Sequence, residues 1–421
     1  MPTTTATAPA PPDDGTRELG RRLQLTRAGI WFAGNQGDPY ALILRSADDH
    51  PAPYEERIRG HGPWFRSDLL DTWVTADPRI AEAVLADPRF GALDRAGRRP
   101  GAELLPVCDA FPEYERAELA RLRASADPVL ADPVLADPGL ADPVLADAQP
   151  ADPVHPFTVP AGAAGFDLVA DAARPYVGAL VARLLGVPDR DREEAARTLG
   201  RCAPQLDSRF TPQTLTVAQD SAAAVHTVAG LVRERVAAAA RTARRSGPRP
   251  DDVPGLLLNH GVAPGDVERI ALVLAIGTPE PATTVIANTV RRLLERPGQW
   301  AAVRRHPAAA AAVDRTLRDL PPARLESRVA HEDADLGGHH LSADDHVVVL
   351  ATAGRDAPGT GPLGGPDGPH FALALPLVRL AATTAVQAMA EALPGLRTAG
   401  EVLMRPRSPV VRAYARFPVQ A

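Results

Sequence analysis

The residues that could carry chemistry are few and show no catalytic spacing. The two cysteines, Cys108 and Cys202, form neither a disulfide framework nor a metal-binding pattern, and they fit a reducing compartment. The chain has eleven histidines, yet none stands in a pattern such as H-E-x-x-H. A nucleophile elbow is absent, and the sequences GTP at 277–279 and GTG at 359–361 are not phosphate-binding motifs. These residue types therefore predict no metal, nucleophilic or phosphate-transfer site.

The most informative stretch is Gly361–Leu380, GPLGGPDGPHFALALPLVRL. Its last eleven residues resemble the signature of bacterial cytochromes P450, in which a cysteine thiolate binds the haem iron. The matching residues are His370, Leu373, Pro376, Leu377, Arg379 and Leu380. The cysteine position holds Ala372, whose methyl group cannot supply the electron density that a thiolate gives to iron. The resemblance implies a P450-like fold, mainly α with small β-sheets, that lacks the haem-thiolate cysteine.

Three further positions that surround the haem in P450s carry different residue types. Tyr114 and Glu118 stand where the family carries the histidine and arginine that hold a haem propionate. Arg315 replaces the glutamate of the E-x-x-R pair, and we expect it to face solvent or a partner because two buried arginines would repel.

Only eleven residues separate Pro358 from His370, so the meander before the cysteine loop is short. Electron donors dock on that side of P450s, and we therefore expect no redox partner.

The central helix, which we expect to begin near Asp266, has lost the proton relay of the family. Aligned on the I helix of P450s, it keeps the acidic residue as Glu280, but Pro281 and Ala282 replace the threonine pair. The prolines at 279 and 281 lack an N–H group and clash with the preceding turn, which predicts a sharp kink. For Thr283 and Thr284, one and two positions further on, a structural role is favoured over a displaced relay.

Three segments resemble a narrower group, the P450-like auxiliary proteins of macrolide and anthracycline pathways. They are GRRLQLTRAGIWFAGNQGDPY at 20–40, GTPEP at 277–281 and RSPVVR at 407–412. Proteins of that group activate and stabilise glycosyltransferases that attach TDP-activated aminodeoxysugars to polyketide aglycones. The resemblance implies a non-catalytic protein that has no cofactor and no catalytic, cofactor-binding or metal-binding residues, and that forms a hetero-oligomer with such a transferase. The alternative is a haem-free enzyme that reuses the P450 pocket for another tailoring reaction.

Composition agrees with a folded protein and disfavours some partners. Apolar residues make up 45% of the 421 residues, an ordinary share for a globular core. The net charge is −6, which disfavours non-specific binding to nucleic acid, and the 46 basic residues include no lysine. The N-terminus lacks the pattern of a signal peptide, and no apolar run reaches membrane-spanning length. We expect a cytoplasmic location, with neither membrane nor nucleic acid as a partner.

We expect a disordered tail at 1–16, followed by one P450-like domain over 17–421. Within the domain, about 126–153 is a degenerate repeat of the pentapeptide ADPVL. Proline at every fifth position opposes a continuous helix, so we expect an extended, acidic, mobile insert whose removal changes stability little. Calcium binding through the repeated aspartates is a weaker alternative.

Caps and apolar periodicity predict several elements. Asp77 and Pro78 are typical of a helix start, and an apolar stripe over 177–184 predicts a second helix. A further helix is predicted over Ala222–Arg245. Val347–Leu350 is predicted as a buried strand, and 405–421 as a closing β-hairpin.

The segment Gly20–Tyr40 is the candidate interaction surface. It packs large apolar side chains into a short stretch: Leu23, Leu25, Ile30, Trp31 and Phe32. These side chains either bind the partner transferase or dock the segment on its own core, and the sequence leaves both alternatives open.

Overall fold

A computed structural model of the chain describes residues 14–46, 51–105, 114–132, 135, 165–243, 250–296, 298–350 and 373–420. The described helices, in chain order, are α1 (Asp14–Asn35), α2 (Pro39–Arg45), α3 (Ala52–Gly60), α4 (Pro78–Ala86), α5 (Arg116–Leu130), α6 (Arg174–Leu184), α7 (Arg192–Arg201), α8 (Gln205–Ser208), α9 (Leu215–Ala243), α10 (Val253–Asn259), α11 (Pro264–Gly277), α12 (Pro279–Leu294), α13 (Gln299–Ala302), α14 (His306–Asp319) and α15 (Leu375–Ala392). Short helical turns lie at Asp68–Leu70, Ala102–Leu104 and Asp189–Asp191, and a π-helical turn at Leu168–Ala173 leads into α6.

The described strands are β1 (Phe65–Ser67), β2 (Thr72–Thr75), β3 (Phe90–Gly91), β4 (Phe166–Asp167), β5 (Leu325–Ala330), β6 (Ala334–Leu336), β7 (His339–Leu341), β8 (His346–Leu350), β9 (Arg397–Thr398), β10 (Leu403–Met404), β11 (Tyr414–Arg416) and β12 (Pro418–Gln420). The largest sheet has the order β1-β2-β8-β5-β3, in which only β2 and β8 are parallel neighbours. The smaller sheets are β4-β12-β9, β10-β11 and β6-β7. The small sheets thus lie beside a mainly helical core.

Helices α11 and α12 form the centre of that core. By length and composition, Pro264–Leu294 would suit a membrane span, but 94% of its apolar window is buried inside the protein, as in the core helix of a globular domain. The predicted kink takes the form of a break at Thr278, the single residue between the two helices. Pro279 then begins α12, the position at which a missing N–H removes no helical hydrogen bond.

Local signals identify other elements correctly. Asp77 caps α4, because its Oδ1 accepts hydrogen bonds from the N–H groups of Arg79 at 2.8 Å and Ile80 at 3.1 Å. The strand predicted over 347–350 is β8, and its last four side chains are buried. The helix predicted from Ala222 exists as α9 but already begins at Leu215.

Two predictions about the chain ends need correction. Helix α1 begins at Asp14, so the predicted tail at 1–16 is too long, and residues 1–13 lie outside the described ranges. The closing hairpin predicted over 405–421 is wrong, because β11 pairs with β10, which precedes Arg405, while β12 pairs with β4 and β9. Which strands pair depends on where they lie in the tertiary structure, and a local sequence pattern does not encode that position.

The extended conformation predicted for the pentapeptide repeat is wrong for its beginning. Helix α5 continues through Pro128 to Leu130, and Ala126, Val129 and Leu135 are buried. One proline in a helix costs about 3 kcal/mol, whereas burying a Val or Leu side chain contributes about 2 kcal/mol each. Burial therefore outweighs the proline here. Most of the repeat, 136–153, lies outside the described residues.

Two deletions test the beginning of the repeat and the rest of the repeat independently. Removing 126–151 should lower the free energy of unfolding by about 3 kcal/mol or more, because Val129 and Leu135 lose their burial. Removing only 137–151 keeps every described contact and should change the free energy of unfolding by less than about 1 kcal/mol. Denaturant unfolding of both variants measures the difference, and equal losses would contradict the assigned packing.

His346 lies in the middle of the largest sheet with both ring nitrogens hydrogen-bonded. Nδ1 is 3.1 Å from Thr72 Oγ1, and Nε2 is 2.8 Å from Ser327 Oγ. Desolvation, helped by the nearby charge of Arg209, lowers the pKa of His346 from 6.5 to about 4. The ring is therefore neutral in the folded protein at pH values where the unfolded chain binds a proton.

This difference predicts a stability loss on acidification. Between pH 6.5 and about 4 the unfolded state binds the extra proton, so stability falls as pH falls through that range. The loss at pH 5 should be about 2 kcal/mol, since each pKa unit corresponds to about 1.4 kcal/mol. Denaturant unfolding at pH 7 and pH 5 should show a smaller loss for His346→Gln than for the wild type. Equal losses would assign the acid sensitivity to other groups.

Candidate functional site

Helices α11 and α15 approach each other closely at Gly277 and Ala374. A Cβ atom placed on Gly277 would lie 3.3 Å from the Cβ of Ala374, at the start of α15. Leu373 and Ala374 are fully buried. Ala372 and His370 themselves lie outside the described residues.

The former propionate clamp is part of an ion-pair network between α5 and α11. Glu118 Oε1 accepts a hydrogen bond from Arg269 at 2.9 Å, and Arg269 lies 3.5 Å from Asp266. Arg121 binds Asp266 with both terminal nitrogens, which holds the pKa of that carboxyl below its usual range. Burial raises the pKa of the neighbouring Tyr114 to about 12. The arrangement links two helices and leaves no cation at the clamp position of Glu118.

Three further residues at P450 motif positions differ in their surroundings. Arg315 is exposed on α14, as predicted. Thr283 Oγ1 donates a hydrogen bond to the carbonyl of Pro279 at 2.8 Å, one turn earlier, which confirms the structural prediction for this threonine. Arg379, which belongs to the P450 signature, donates to Asp314 at 2.8 Å and so joins α15 to α14.

A cavity of about 1130 Å³ lies between α6, α7, α9 and the start of α12. Glu280, which is 2% exposed, forms part of its wall and lies 3.4 Å from Arg174 and 3.3 Å from Arg405. None of the lining residues is a histidine or a cysteine. In the described part of the chain, no cluster of three or more His, Cys, Asp or Glu side chains could hold a metal ion. The cavity therefore offers ion pairs but no nucleophile beside a histidine base, and the haem-free enzyme stays an untested alternative.

The C-terminal segment is anchored on one buried carboxylate, Asp207. Its Oδ1 accepts from the N–H groups of Val410 at 2.8 Å and Val411 at 3.2 Å. Its Oδ2 accepts from Ser408 Oγ at 2.7 Å. Asp207 is 0% exposed, so each of these bonds replaces one to water.

This anchor links two of the three segments of the narrower resemblance. Arg405 lies 3.2 Å from Asp207 and 3.3 Å from Glu280, which joins the C-terminal segment to GTPEP at 277–281. Arg412, at the end of RSPVVR, donates to Ser46 Oγ at 3.2 Å, just beyond α2 and outside the segment 20–40. The segments at 277–281 and 407–412 are thus held close together by Asp207 and Arg405.

Helix α1 divides its apolar residues between two sides. Leu23 and Ile30 are 3% and 4% exposed and belong to the core. Leu25, Trp31 and Phe32 are 59%, 53% and 57% exposed. Docking on the protein's own core therefore holds for Leu23 and Ile30, whereas partner binding by the exposed residues stays a prediction.

Comparison with known proteins reveals relatives along nearly the whole chain. It is 39% identical to Protein TylM3 of Streptomyces fradiae, over 98% of this chain and 95% of that protein. It is 36% identical to Protein AknT of Streptomyces galilaeus, over 96% and 95% respectively. Protein DesVIII of Streptomyces venezuelae is 33% identical, over 96% and 94%. No family model matches the chain.

Among solved structures, the chain is similar to ligand-free CYP164A2 of Mycobacterium smegmatis. The TM-score is 0.69 at 25% identity, and the match covers 92% of this chain and 100% of that one. The predicted P450-like fold, mainly α with small β-sheets, is confirmed.

Restoring the cysteine alone should not restore haem binding. Ala372→Cys, expressed with a haem precursor, should show no Soret band, because Glu118 stands where the family carries the propionate-binding arginine and its carboxylate would repel a propionate. The wild type, purified in parallel, should show none either. Stoichiometric haem in the variant, measured by absorbance and by haem extraction, would show that the change at Glu118 does not prevent haem binding.

Proposed function

The chain belongs to the family of P450-like auxiliary proteins that includes TylM3, AknT and DesVIII, and we propose from this membership that it binds, stabilises and activates a partner glycosyltransferase. The partner attaches a TDP-aminodeoxysugar to a polyketide aglycone in antibiotic biosynthesis. The auxiliary protein itself is not an enzyme, and the pair forms a hetero-oligomer.

The observation that carries the proposal is the match to these relatives over nearly the whole chain. Two features of the fold support it. The P450-like core is retained, whereas Glu118, at the position of the propionate-binding arginine, is an anion paired with Arg269. A protein that keeps its core without the family's chemistry offers a folded surface, which suits a binding role.

The proposed mechanism is a linked equilibrium. A protein that binds only the folded, active transferase stabilises that state by RT ln(1 + [L]/Kd), which is about 2.7 kcal/mol at a concentration of 100 Kd. Coupling between the binding surface and the transferase active site is reciprocal, so sugar donor or aglycone bound to the transferase also tightens the complex. No group on the auxiliary protein needs to enter the active site.

Reconstitution with the cognate glycosyltransferase tests the proposal. The transferase should show higher sugar-transfer activity, higher soluble yield, or both, when this protein is present, because the active state is stabilised by binding. The assay measures transfer of the TDP-sugar to the aglycone at increasing concentrations of this protein, and size exclusion measures complex formation.

Two controls define the result. This protein alone, given donor and aglycone, should transfer no sugar. A transferase that is equally soluble and equally active without this protein would rule out the auxiliary role, and turnover of a substrate by this protein alone would favour the enzyme alternative.

A further inference from the structure

Exposed apolar side chains are concentrated on one helix. Among the described residues five large apolar side chains are exposed, and Leu25, Trp31 and Phe32 of α1 are three of them. A fourth, Leu69, lies in the turn Asp68–Leu70, which packs against α1. Single exposed apolar side chains are normal on any protein surface, whereas a cluster indicates an interaction site.

Helix geometry places much of this cluster on one stripe. Residues three or four apart share a face, and an exposed stripe with that spacing runs along α1: Arg17, Arg21, Leu25, Ala28 and Phe32. Trp31 borders the stripe, while Leu23 and Ile30 point into the core. We call these five residues and Trp31 the outer face of α1. The 22-residue helix is about 33 Å long, which is enough to fill a groove on a partner.

Trp31 is held in place before any partner binds. The guanidinium of Arg45 stacks on its ring at 4.3 Å and donates to its backbone carbonyl. Arg45 also donates to Asn35 Oδ1 at 3.0 Å. A Cβ atom on Gly34 would lie 2.6 Å from the Arg45 guanidinium carbon, so a larger residue at this position would shift the guanidinium from its place. An exposed aromatic side chain that is already ordered loses little entropy on binding, as interface anchors require.

The N-terminal half of the outer face is basic, although the protein carries a net charge of −6. It presents Arg17 and Arg21, and the ion pair of Arg21 with Glu18, at 3.8 Å between largely exposed side chains, is weak. A partner complementary to this surface carries carboxylates at one end of an apolar groove.

We propose that the outer face of α1 is the docking surface for the partner glycosyltransferase, which receives the helix in an apolar groove edged by carboxylates at the end facing Arg17 and Arg21. The assignment rests on the proposed function for the identity of the partner. Trp31 and Phe32 are the anchors of the interface, and the arginines speed association and set the orientation.

The anchors are tested in the full-length protein against the cognate transferase. Trp31→Ala with Phe32→Ala should raise Kd at least about 30-fold, measured by biolayer interferometry, and should reduce the activation of sugar transfer at fixed concentration. Leu25→Glu, a second variant of the same face that leaves the Arg45 stack intact, should also weaken binding at least tenfold, roughly the cost of a charge in an apolar groove. The matched control, Leu403→Ala, removes an exposed apolar side chain from β10 and should leave Kd within about threefold.

Charge complementarity is tested separately. Arg17→Glu with Arg21→Glu should slow association at least about tenfold at low salt, and the effect should shrink at high salt. Arg190→Glu with Arg197→Glu, which makes the same charge change at exposed positions in and next to α7, is the control and should change association much less.

The outcomes separate this proposal from the proposed function. If the wild type activates the transferase, and both Trp31→Ala/Phe32→Ala and Leu25→Glu bind as tightly as the wild type, the docking surface lies elsewhere and the auxiliary role stands. If the wild type neither binds nor activates, the proposed function fails and the docking assignment with it. Thermal melting identifies a variant that does not fold. If Trp31→Ala/Phe32→Ala does not fold, the Kd of Leu25→Glu tests the outer face of α1 in its place.

Discussion

The fold depends on a buried carboxylate that holds the end of the chain against its middle. Asp207 receives two backbone N–H groups, a serine hydroxyl and Arg405, and Arg405 continues to Glu280 in the central helix. Removing one partner of such a network leaves an unpaired buried charge, which typically costs about 3–5 kcal/mol. The register of the C-terminal segment, and with it the pairing of β11 and β12, is therefore fixed by polar bonds in the interior.

Around that anchor, the central helix packs closely on α15. A Cβ atom on Gly277 would lie 3.3 Å from the Cβ of Ala374, so this crossing favours glycine. The helix break at Thr278 makes this arrangement compatible with two prolines, because Pro279 starts a new helix and Thr283 bonds its carbonyl. Buried aliphatic side chains on both helices complete the core.

Sequence reasoning succeeded where the signal is local and failed where it depends on tertiary partners. The cap at Asp77 and the break at the prolines follow from backbone chemistry, and the structure has both. The repeat beginning at Ala126 was predicted wrongly because its few apolar side chains gain burial only from neighbours distant in sequence. The link between Asp207 and Arg405 spans 198 residues and has no sequence signal at all. On α1, spacing alone could have separated the two sides, since Leu23 and Ile30 are seven residues apart and Leu25 and Phe32 are likewise seven apart, with the two pairs on opposite faces.

Helix α1 connects its outer face to the interior of the protein. The inner side of the helix is part of the core through Ile30, and Ser46, just beyond α2, accepts a hydrogen bond from Arg412 in the anchored C-terminal segment. A partner bound to α1 is therefore connected, through α2 and Arg412, to the segment that reaches Asp207 and Glu280. Linkage runs in both directions, so a transferase stabilised by this protein stabilises the protein in return by the same coupling free energy. The interior bonds do not depend on a bound partner, so the docking helix is already formed before association. The conformational entropy of ordering this helix is therefore lost during folding and does not weaken the binding.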